Sequence, residues 1–465
     1  MKNNPDLSRE GDDALLLARR SLDQGDPWGA LDSCREYCAR NGNDADALDL
    51  LGQCLASTGD LPGAGNAVDR AIRIAPDRAR YYIHLGEVNV QMGRAREALG
   101  CFQHAMQLAP QDAGILNDSA MALWGMGRLE DARSLLQRAV EADPGNLLVR
   151  RNMRLVSARM IDHWHFAMLN DDARNTQFEA AIRRAVQKGS RVLDIGAGSG
   201  LLSMMAARAG ATQVTACEVN PALAGQAREM IRDNGYSDRV RVLNKLSQQI
   251  DPDTDFPPKT RPDVLLAEVF DTLLIGEGAL ATIDHARRHL LAPGATVIPC
   301  AGELYGVLLE SESLWREGAV DSVSGFDLAA LNRFRPDTVS LSPAAAGGRV
   351  LSDDACIFSF DFTAEAGASP DSVRLDIPVR NKGMCHGLLV WFRLQLDDEL
   401  TFDNRPQFEA DGLVSDNRTH WQPVVKLLVP ALPVEPGMTI RVEARHNRSN
   451  VALQVYDPVS GEPLG

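Results

Sequence analysis

With 465 residues the chain is too long for one ordinary core, so two or three domains are expected, each able to bury a stable interior. A formal charge of -15, from 48 Lys and Arg against 63 Asp and Glu, repels phosphates and steers cationic partners inward, which makes nucleic acid a poor ligand. No 18-residue uncharged apolar run occurs, and MKNNPDLSREGDD has no apolar stretch behind its lysine, so neither a membrane span nor a secretory signal is expected and a cytoplasmic location is. The eight cysteines include no CxxC pair, which fits a reducing compartment and argues against structural zinc; Cys34 and Cys38, at i,i+4 on a predicted helix, read as packing.

From the front, residues 46–79, 80–113 and 114–147 form three consecutive 34-residue units. Gly59, Gly93 and Gly127 share one offset, where a helix must end in a tight turn. Ala64, Ala98 and Ala132 share a second offset and Ala71, Ala105 and Ala139 a third, where small side chains let two helices approach. Pro76, Pro110 and Pro144 then stop the second helix of each unit. Residues 12–45 keep Gly25 and Ala30 but carry Gly42 in place of the proline, as a terminal capping unit does. These landmarks resemble the tetratricopeptide repeat family, so an α solenoid over residues 1–150 is expected. Its concave face would take a partner peptide, or the stack would serve as a spacer or dimer surface. Leu147 to Met160 reads as one more helix capping the stack.

A second architecture begins at Arg191. The run Arg191-Val-Leu-Asp-Ile-Gly-Ala-Gly-Ser-Gly200 is an apolar strand, a glycine-rich turn and the start of a helix, which opens a βαβ unit. Gly196, Gly198 and Gly200 let the backbone press against a ligand. Nicotinamide enzymes place a similar loop here, and Glu218, ending the strand Gln213–Cys217, suits the ribose hydroxyls of either cofactor. Asp194 in a D-x-G-x-G-x-G setting favours S-adenosylmethionine, which has no pyrophosphate to place at the helix N-terminus. A third strand, Val240 to Leu243, leads to Leu246 and Ser247, whose backbone would border the adenine. A fourth, Pro262 to Ala267, ends in Glu268, and Glu277 follows nine residues later.

Ligands of open α/β sheets sit beyond the carboxyl ends of the strands, so Glu268 should point into the site. Paired carboxylates suit a guanidinium, which presents five N–H donors in a rigid plane. Because that group stays protonated to a pKa above ~12, transfer of a methyl group to it needs a nitrogen lone pair freed from delocalisation. An ordinary solvated acidic loop is the alternative.

On these residues, 161–465 resemble the protein arginine N-methyltransferase family, which implies a Rossmann-like domain over 151–300 and a C-terminal β-barrel for substrate and dimerisation over 301–465. The resemblance implies that Glu268 and Glu277 clamp the substrate arginine, that Asp194, Gly196, Gly198 and Gly200 form the cofactor loop, and that Glu218 is the ribose acid. It further implies that Arg174 pairs with the carboxylate of the methionine moiety, with His165 and Met168 flanking the cofactor. Thr419-His420-Trp421 resembles the family's loop that closes on the arginine from the barrel, with His420 taking part in catalysis, Trp421 binding substrate and Asp171 hydrogen-bonded to His420.

Two features depart from the family. Leu155 to Arg159 stands where many members carry an aromatic Tyr-Phe-x-x-Tyr lid, and Ser247 replaces an acid aimed at the adenine amine. The array together with Phe270-Asp271 looks most like the subgroup making symmetric dimethylarginine, while the same loop also resembles one that stops at monomethylarginine. Those relatives carry two modules in tandem, so a homodimer would supply the missing half. A retired fold serving as an adaptor, and a methyltransferase for a small molecule or another side chain, are the alternative functions. Strands are expected at Ile357 to Phe362, Val373 to Val379, Leu388 to Leu396, Val424 to Val429 and Thr439 to Ala444, in a β-barrel or sandwich. His285 and His289 share a helical face without a zinc motif and read as structural; no metal is expected.

Overall fold

A computed structural model describes residues 15–258, 260–341, 348–364, 371–409, 412–414 and 419–464. The chain divides into two compact units, Met1–Asp162 and His163–Gly465. The opening MKNNPDLSREGDD and the first residues of the degenerate repeat lie outside the described residues.

The first unit is a stack of helical hairpins. A helix over 15–23 is followed by Pro27–Arg40, Ala45–Ser57, Leu61–Ile74, Ala79–Gln91, Ala95–Leu108, Ala113–Gly125, Leu129–Ala142 and Leu147–Ser157. Gly25, Gly59, Gly93 and Gly127 each adopt positive φ, between 72° and 92°, in the turn inside each hairpin. Ala30, Ala64, Ala98 and Ala132 are fully buried, as are Ala71, Ala105 and Ala139. Side chains of Asp44, Asp60, Asp112 and Asn146 cap helix starts by accepting from backbone N–H groups two or three residues into the helix. The last helix closes the stack by packing Val149 and Val156 against Leu116 and Leu136. Cys34 lies buried with its Sγ 4.0 Å from that of Cys54, a packing contact between neighbouring hairpins.

The second unit opens with two helices, Trp164–Leu169 and Asp172–Ala185, and then builds an all-parallel sheet. Its strands are β1 (Arg191–Ile195), β2 (Gln213–Cys217), β3 (Val240–Leu243), β4 (Val264–Ala267) and β5 (Thr296–Ile298), in the order β3-β2-β1-β4-β5. Apolar runs bury β1 and β4 on both faces, as helices on either side require. The chain order reverses beside β1, so the ligand crevice falls beyond the carboxyl ends of β1 and β4.

From β6 (Ala301–Glu310) onward the unit is antiparallel. β6 pairs with Gly383–Gln395 and Ala355–Asp361, and Gly383–Gln395 pairs in turn with Val424–Val434. A separate sheet joins Ser372–Pro378, Thr439–His446, Val451–Tyr456 and Pro463–Leu464. The expected barrel is therefore corrected: among the described residues these are two open sheets, and their hydrogen bonding runs round no closed circuit. Alternation of side chains marks which face of a strand is buried and carries no information on closure, so the sequence could not distinguish the two. β6 and Val451–Tyr456 were not foreseen, and neither was the segment after β6, a helix Glu312–Gly318, a hairpin of Ser322–Val323 with Phe326–Asp327, and a 3-10 turn Ala329–Phe334. His285 and His289 pair ring to ring at 4.9 Å on a helix flanking the parallel sheet. No described helix is long and apolar enough to cross a membrane.

The repeat unit offers a paired test. A Cβ at Gly86 would lie 2.4 Å from a ring carbon of the buried Phe102, whereas one at the exposed Gly100 meets nothing within 4 Å. Gly86→Ala is expected to destabilise the array by about 1–3 kcal/mol through overpacking, and Gly100→Ala to stabilise it by about 0.5–1 kcal/mol through lower chain entropy. Calorimetry of the array transition reads both, and shifts in the same direction would contradict the packing described.

Candidate active site

Each expected group takes its place from the element before it. The β1 strand ends at Ile195, and the backbone N–H groups of Gly196 and Ala197 both donate to the carbonyl of Cys217, at 3.0 and 3.1 Å. Gly196 has φ 75°, and a Cβ there would lie 2.6 Å from a Val269 methyl and 2.9 Å from the Glu268 carbonyl oxygen. Only glycine admits that approach, which presses the turn after β1 against the loop after β4. Gly198, with φ 52°, donates its N–H to Glu218 Oε2 at 2.9 Å, while Glu218 Oε1 accepts from the Asn220 N–H at 2.7 Å. The carboxylate at the end of β2 thus shapes the glycine loop and retains lone pairs for further donors.

Asp194 is fully buried within β1, and its Oδ2 accepts from the Ser203 hydroxyl at 2.6 Å. Burial raises its carboxyl to about 6 against the lowering effects of the Ser203 hydrogen bond and the Arg174 charge. Its Oδ1 has no partner.

Arg174 sits in the first turn of the helix Asp172–Ala185, which Asp171 caps by accepting the Arg174 N–H at 2.9 Å. The guanidinium is 2 % exposed, with Nη2 3.0 Å from Glu268 Oε2 and Nη1 2.8 Å from Asn175 Oδ1, while its Nε is buried without a partner. Glu268, immediately after β4, has its carboxyl pushed up to about 7, with burial the largest cause, the Arg174 charge opposing it and Glu277 adding to it. Glu277 is exposed at the far end of the same loop, and its carboxyl is raised by the protein packed round it and by Asp271. Asp271 folds the loop between them, its Oδ1 accepting the N–H groups of Leu273 and Gly276 at 3.2 and 2.8 Å.

The antiparallel half enters at His420. Asp171 Oδ2 accepts both the His420 backbone N–H, at 3.2 Å, and Nδ1, at 3.3 Å. Burial would raise Asp171, but the hydrogen bonds from His420, the Arg174 N–H and Thr419 outweigh it and hold the carboxyl below the usual range. His420 titrates below the usual histidine range, chiefly through burial, with Arg174 and His165 adding to the effect against Asp171. It is therefore neutral at physiological pH.

Trp421 follows His420 in the same loop. It is 4 % exposed, its ring packed on Phe392 and Phe402, and its indole N–H donates to the Phe270 carbonyl at 2.8 Å. The ring faces protein rather than open space. Met168 is buried, and the half-buried His165 stacks on Trp164 at 3.7 Å. Ser247 is buried, with its hydroxyl 3.3 Å from Gln248 Oε1, beside the exposed Leu246.

The structure also brings in Ser203, Asn175, Asn404 and the Phe270 carbonyl, which sequence reading did not find. Single hydroxyls, amides and carbonyls in long chains have no pattern that marks them as partners of distant groups. A separate cavity of about 870 Å³, lined by Ser311, Trp315, Asn332 and His386, shares no residue with this constellation. Among the described residues no group of His, Cys, Asp and Glu could hold a metal ion.

Comparison with known proteins adds the family. Residues 15–79 and 89–151 match models described as tetratricopeptide repeat, and 179–295 match one described as ribosomal protein L11 methyltransferase. The chain is 36 % identical over 341 residues to an arginine N(omega)-methyltransferase of Streptomyces achromogenes subsp. streptozoticus, covering 72 % of this chain and 86 % of that one. It is 30 % identical to protein arginine N-methyltransferase 9 of Xenopus laevis, covering 76 % of this chain, and 33 % identical to protein arginine N-methyltransferase 7 of Oryza sativa subsp. indica, covering 62 %. It spans under half the length of these two relatives, 46 % and 44 %.

Two solved structures share the fold. The Trypanosoma brucei PRMT1 enzyme-prozyme heterotetrameric complex with AdoHcy aligns with TM-score 0.55 at 23 % identity, covering 66 % of this chain and 97 % of that one. Arabidopsis thaliana protein arginine methyltransferase 10, in an open conformation, aligns with TM-score 0.51 at 19 % identity, with the same coverage of 66 % and 97 %. With a glycine loop, a ribose-spaced acid and a buried carboxylate at the sheet's switch point, and with 36 % identity across most of a curated relative, the chain belongs to the arginine N-methyltransferase family and is an S-adenosylmethionine-dependent arginine methyltransferase.

Proposed function

We propose that the enzyme methylates a guanidinium nitrogen of arginine held by Glu268 and Glu277. The observation that carries this reading is a buried carboxylate, Glu268, already 3.0 Å from a guanidinium of the protein itself. S-adenosylmethionine, when bound, supplies an electrophilic methyl group on a sulfonium. The residues fit that cofactor. Arg174 Nε is a buried donor and Asp194 Oδ1 a buried acceptor, both without partners, as a zwitterionic amino-acid moiety would require. Glu218 retains acceptor capacity for ribose hydroxyls, His165 and Met168 flank the cofactor, and the exposed Val219 and Leu246 with the Ser247 backbone offer the adenine a surface.

Methyl transfer forms an N–C bond as the S–C bond breaks, and the product guanidinium carries one proton too many. Glu268 accepts that proton, a role suited to a carboxyl held near neutrality. Neutral His420, anchored on Asp171, fixes the antiparallel half against the cofactor half. Trp421 supports this loop from behind.

One observation favours a second acceptor: the relative from Streptomyces is named for arginine, without the word protein. Labelled S-adenosylmethionine is supplied with an arginine-rich protein and, separately, with free arginine, followed by amino-acid analysis. Label in protein-derived methylarginine supports the first reading and its chromatographic position assigns mono-, symmetric or asymmetric product. Label only in the free amino acid supports the second, and cofactor binding without labelled arginine overturns both.

Glu268→Gln is expected to lower kcat by roughly 10²–10⁴-fold with cofactor affinity nearly unchanged, whereas Glu218→Ala weakens the cofactor. The sign of the pH dependence follows from the raised carboxyl. The charged form needed for catalysis fills as pH rises through about 7, so kcat/KM should show an acid limb there. A flat profile across neutrality would remove Glu268 from the proton path.

We further propose a homodimer through the segment after β6, where Val323, Phe326, Leu331 and Phe334 are 48–74 % exposed. Light scattering should give about twice the chain mass of 50.5 kDa, and Phe326→Asp with Phe334→Asp should halve it. An active wild-type monomer would exclude this. The repeat array is proposed to bind a partner peptide, and the cytoplasm is the proposed location.

A further inference from the structure

Asn404 is completely buried, and both ends of its amide are engaged. Its Oδ1 accepts the Phe392 N–H at 2.7 Å, and its Nδ2 donates to the Trp421 carbonyl at 3.0 Å. Phe392 lies on the long strand Gly383–Gln395, paired with Leu304 of β6 on one side and, from the next residue, with Thr401–Asp403 on the other, so this end of the link is rigid. Trp421 carries the link onward through its indole N–H to the Phe270 carbonyl at 2.8 Å, and Phe270 stands two residues after Glu268. The Phe270 ring is itself fixed against Phe362 at 5.5 Å.

We propose that Asn404 is a positioning residue for methyl transfer, acting through Trp421 and the Phe270 carbonyl to set where Glu268 stands. This deepens the reading of Glu268 given above and rests on it. The route consists of buried, satisfied hydrogen bonds, which hold geometry because any displacement leaves a donor or acceptor unpaired. It also explains why a tryptophan enclosed by protein belongs at the loop that carries His420. Its N–H is the sole polar atom of the ring, and here it is used on the loop that carries the clamp.

The test is a double-variant cycle on the full chain with an arginine-rich protein as acceptor. Asn404→Asp keeps the acceptor for Phe392 and removes the donor to Trp421; assay on the alkaline side of neutrality keeps a protonated acid from replacing it. Trp421→Phe keeps the ring and removes the N–H. Each is expected to lower kcat by about 10- to 100-fold, the scale of a small misplacement of reacting groups, with cofactor Kd and acceptor KM unchanged. The double variant should fall little further than either single one, because both cut the same route.

A role confined to stability would lower Tm and leave kcat intact below it, which overturns the proposal, as do multiplicative losses in the double variant. Should Asn404→Asp not fold, Asn404→Ser takes its place, since a serine cannot reach both partners. Wild-type enzyme that methylates no arginine would refute the reading of the site. A working wild type with unaffected variants would refute only the role of Asn404.

Discussion

The contact at Gly196 is where the site begins. A turn without a side chain lets the backbone after β1 lie against the backbone after β4, 2.9 Å from where a Cβ would stand to the Glu268 carbonyl. Asp194, Glu218 and Glu268 stand at the carboxyl ends of three neighbouring strands, β1 being paired with both β2 and β4. The close approach at Gly196 seats the turn after β1 on the loop after β4, and the Gly198 N–H ties in the end of β2 through Glu218. Arg174, arriving from a helix outside the sheet, completes the cluster by reaching Glu268.

The electrostatics follow from that crowding. Asp194, Glu218 and Glu268 share a desolvated space with the guanidinium of Arg174 among them. Burial works against the second and third negative charge, and two of the carboxyls rise as a result. A site strained in this direction favours cations, and both participants of the proposed reaction are cationic. Their charges favour the ionised form of Glu268, so the burial that raises its carboxyl is offset by attraction for the proposed ligands.

The antiparallel half contributes a backing rather than a wall. Asp171 holds His420 by two hydrogen bonds, Asn404 holds the Trp421 carbonyl, and Trp421 holds Phe270. Every one of these joins residues more than a dozen positions apart, and two of them cross between the parallel and antiparallel halves. The long strands that look like generic β structure in the sequence are what make these contacts stiff.

The sequence by itself determined everything that repeats or is local. The array was legible because each hairpin contacts only its neighbours, so the same glycine, alanine and proline recur at fixed offsets. Gly196, Gly198 and Glu218 were legible because a strand, turn and helix follow one another within a few residues, and Glu268 and Glu277 because one loop carries both. The open edges of the antiparallel sheets, the enclosure of Trp421, the partners of Asp194 and the place of Asn404 were decided by tertiary structure. A hydrogen bond between residues 151 positions apart, such as that from Trp421 to Phe270, depends on where two separate elements come to rest, and local spacing holds no record of that distance.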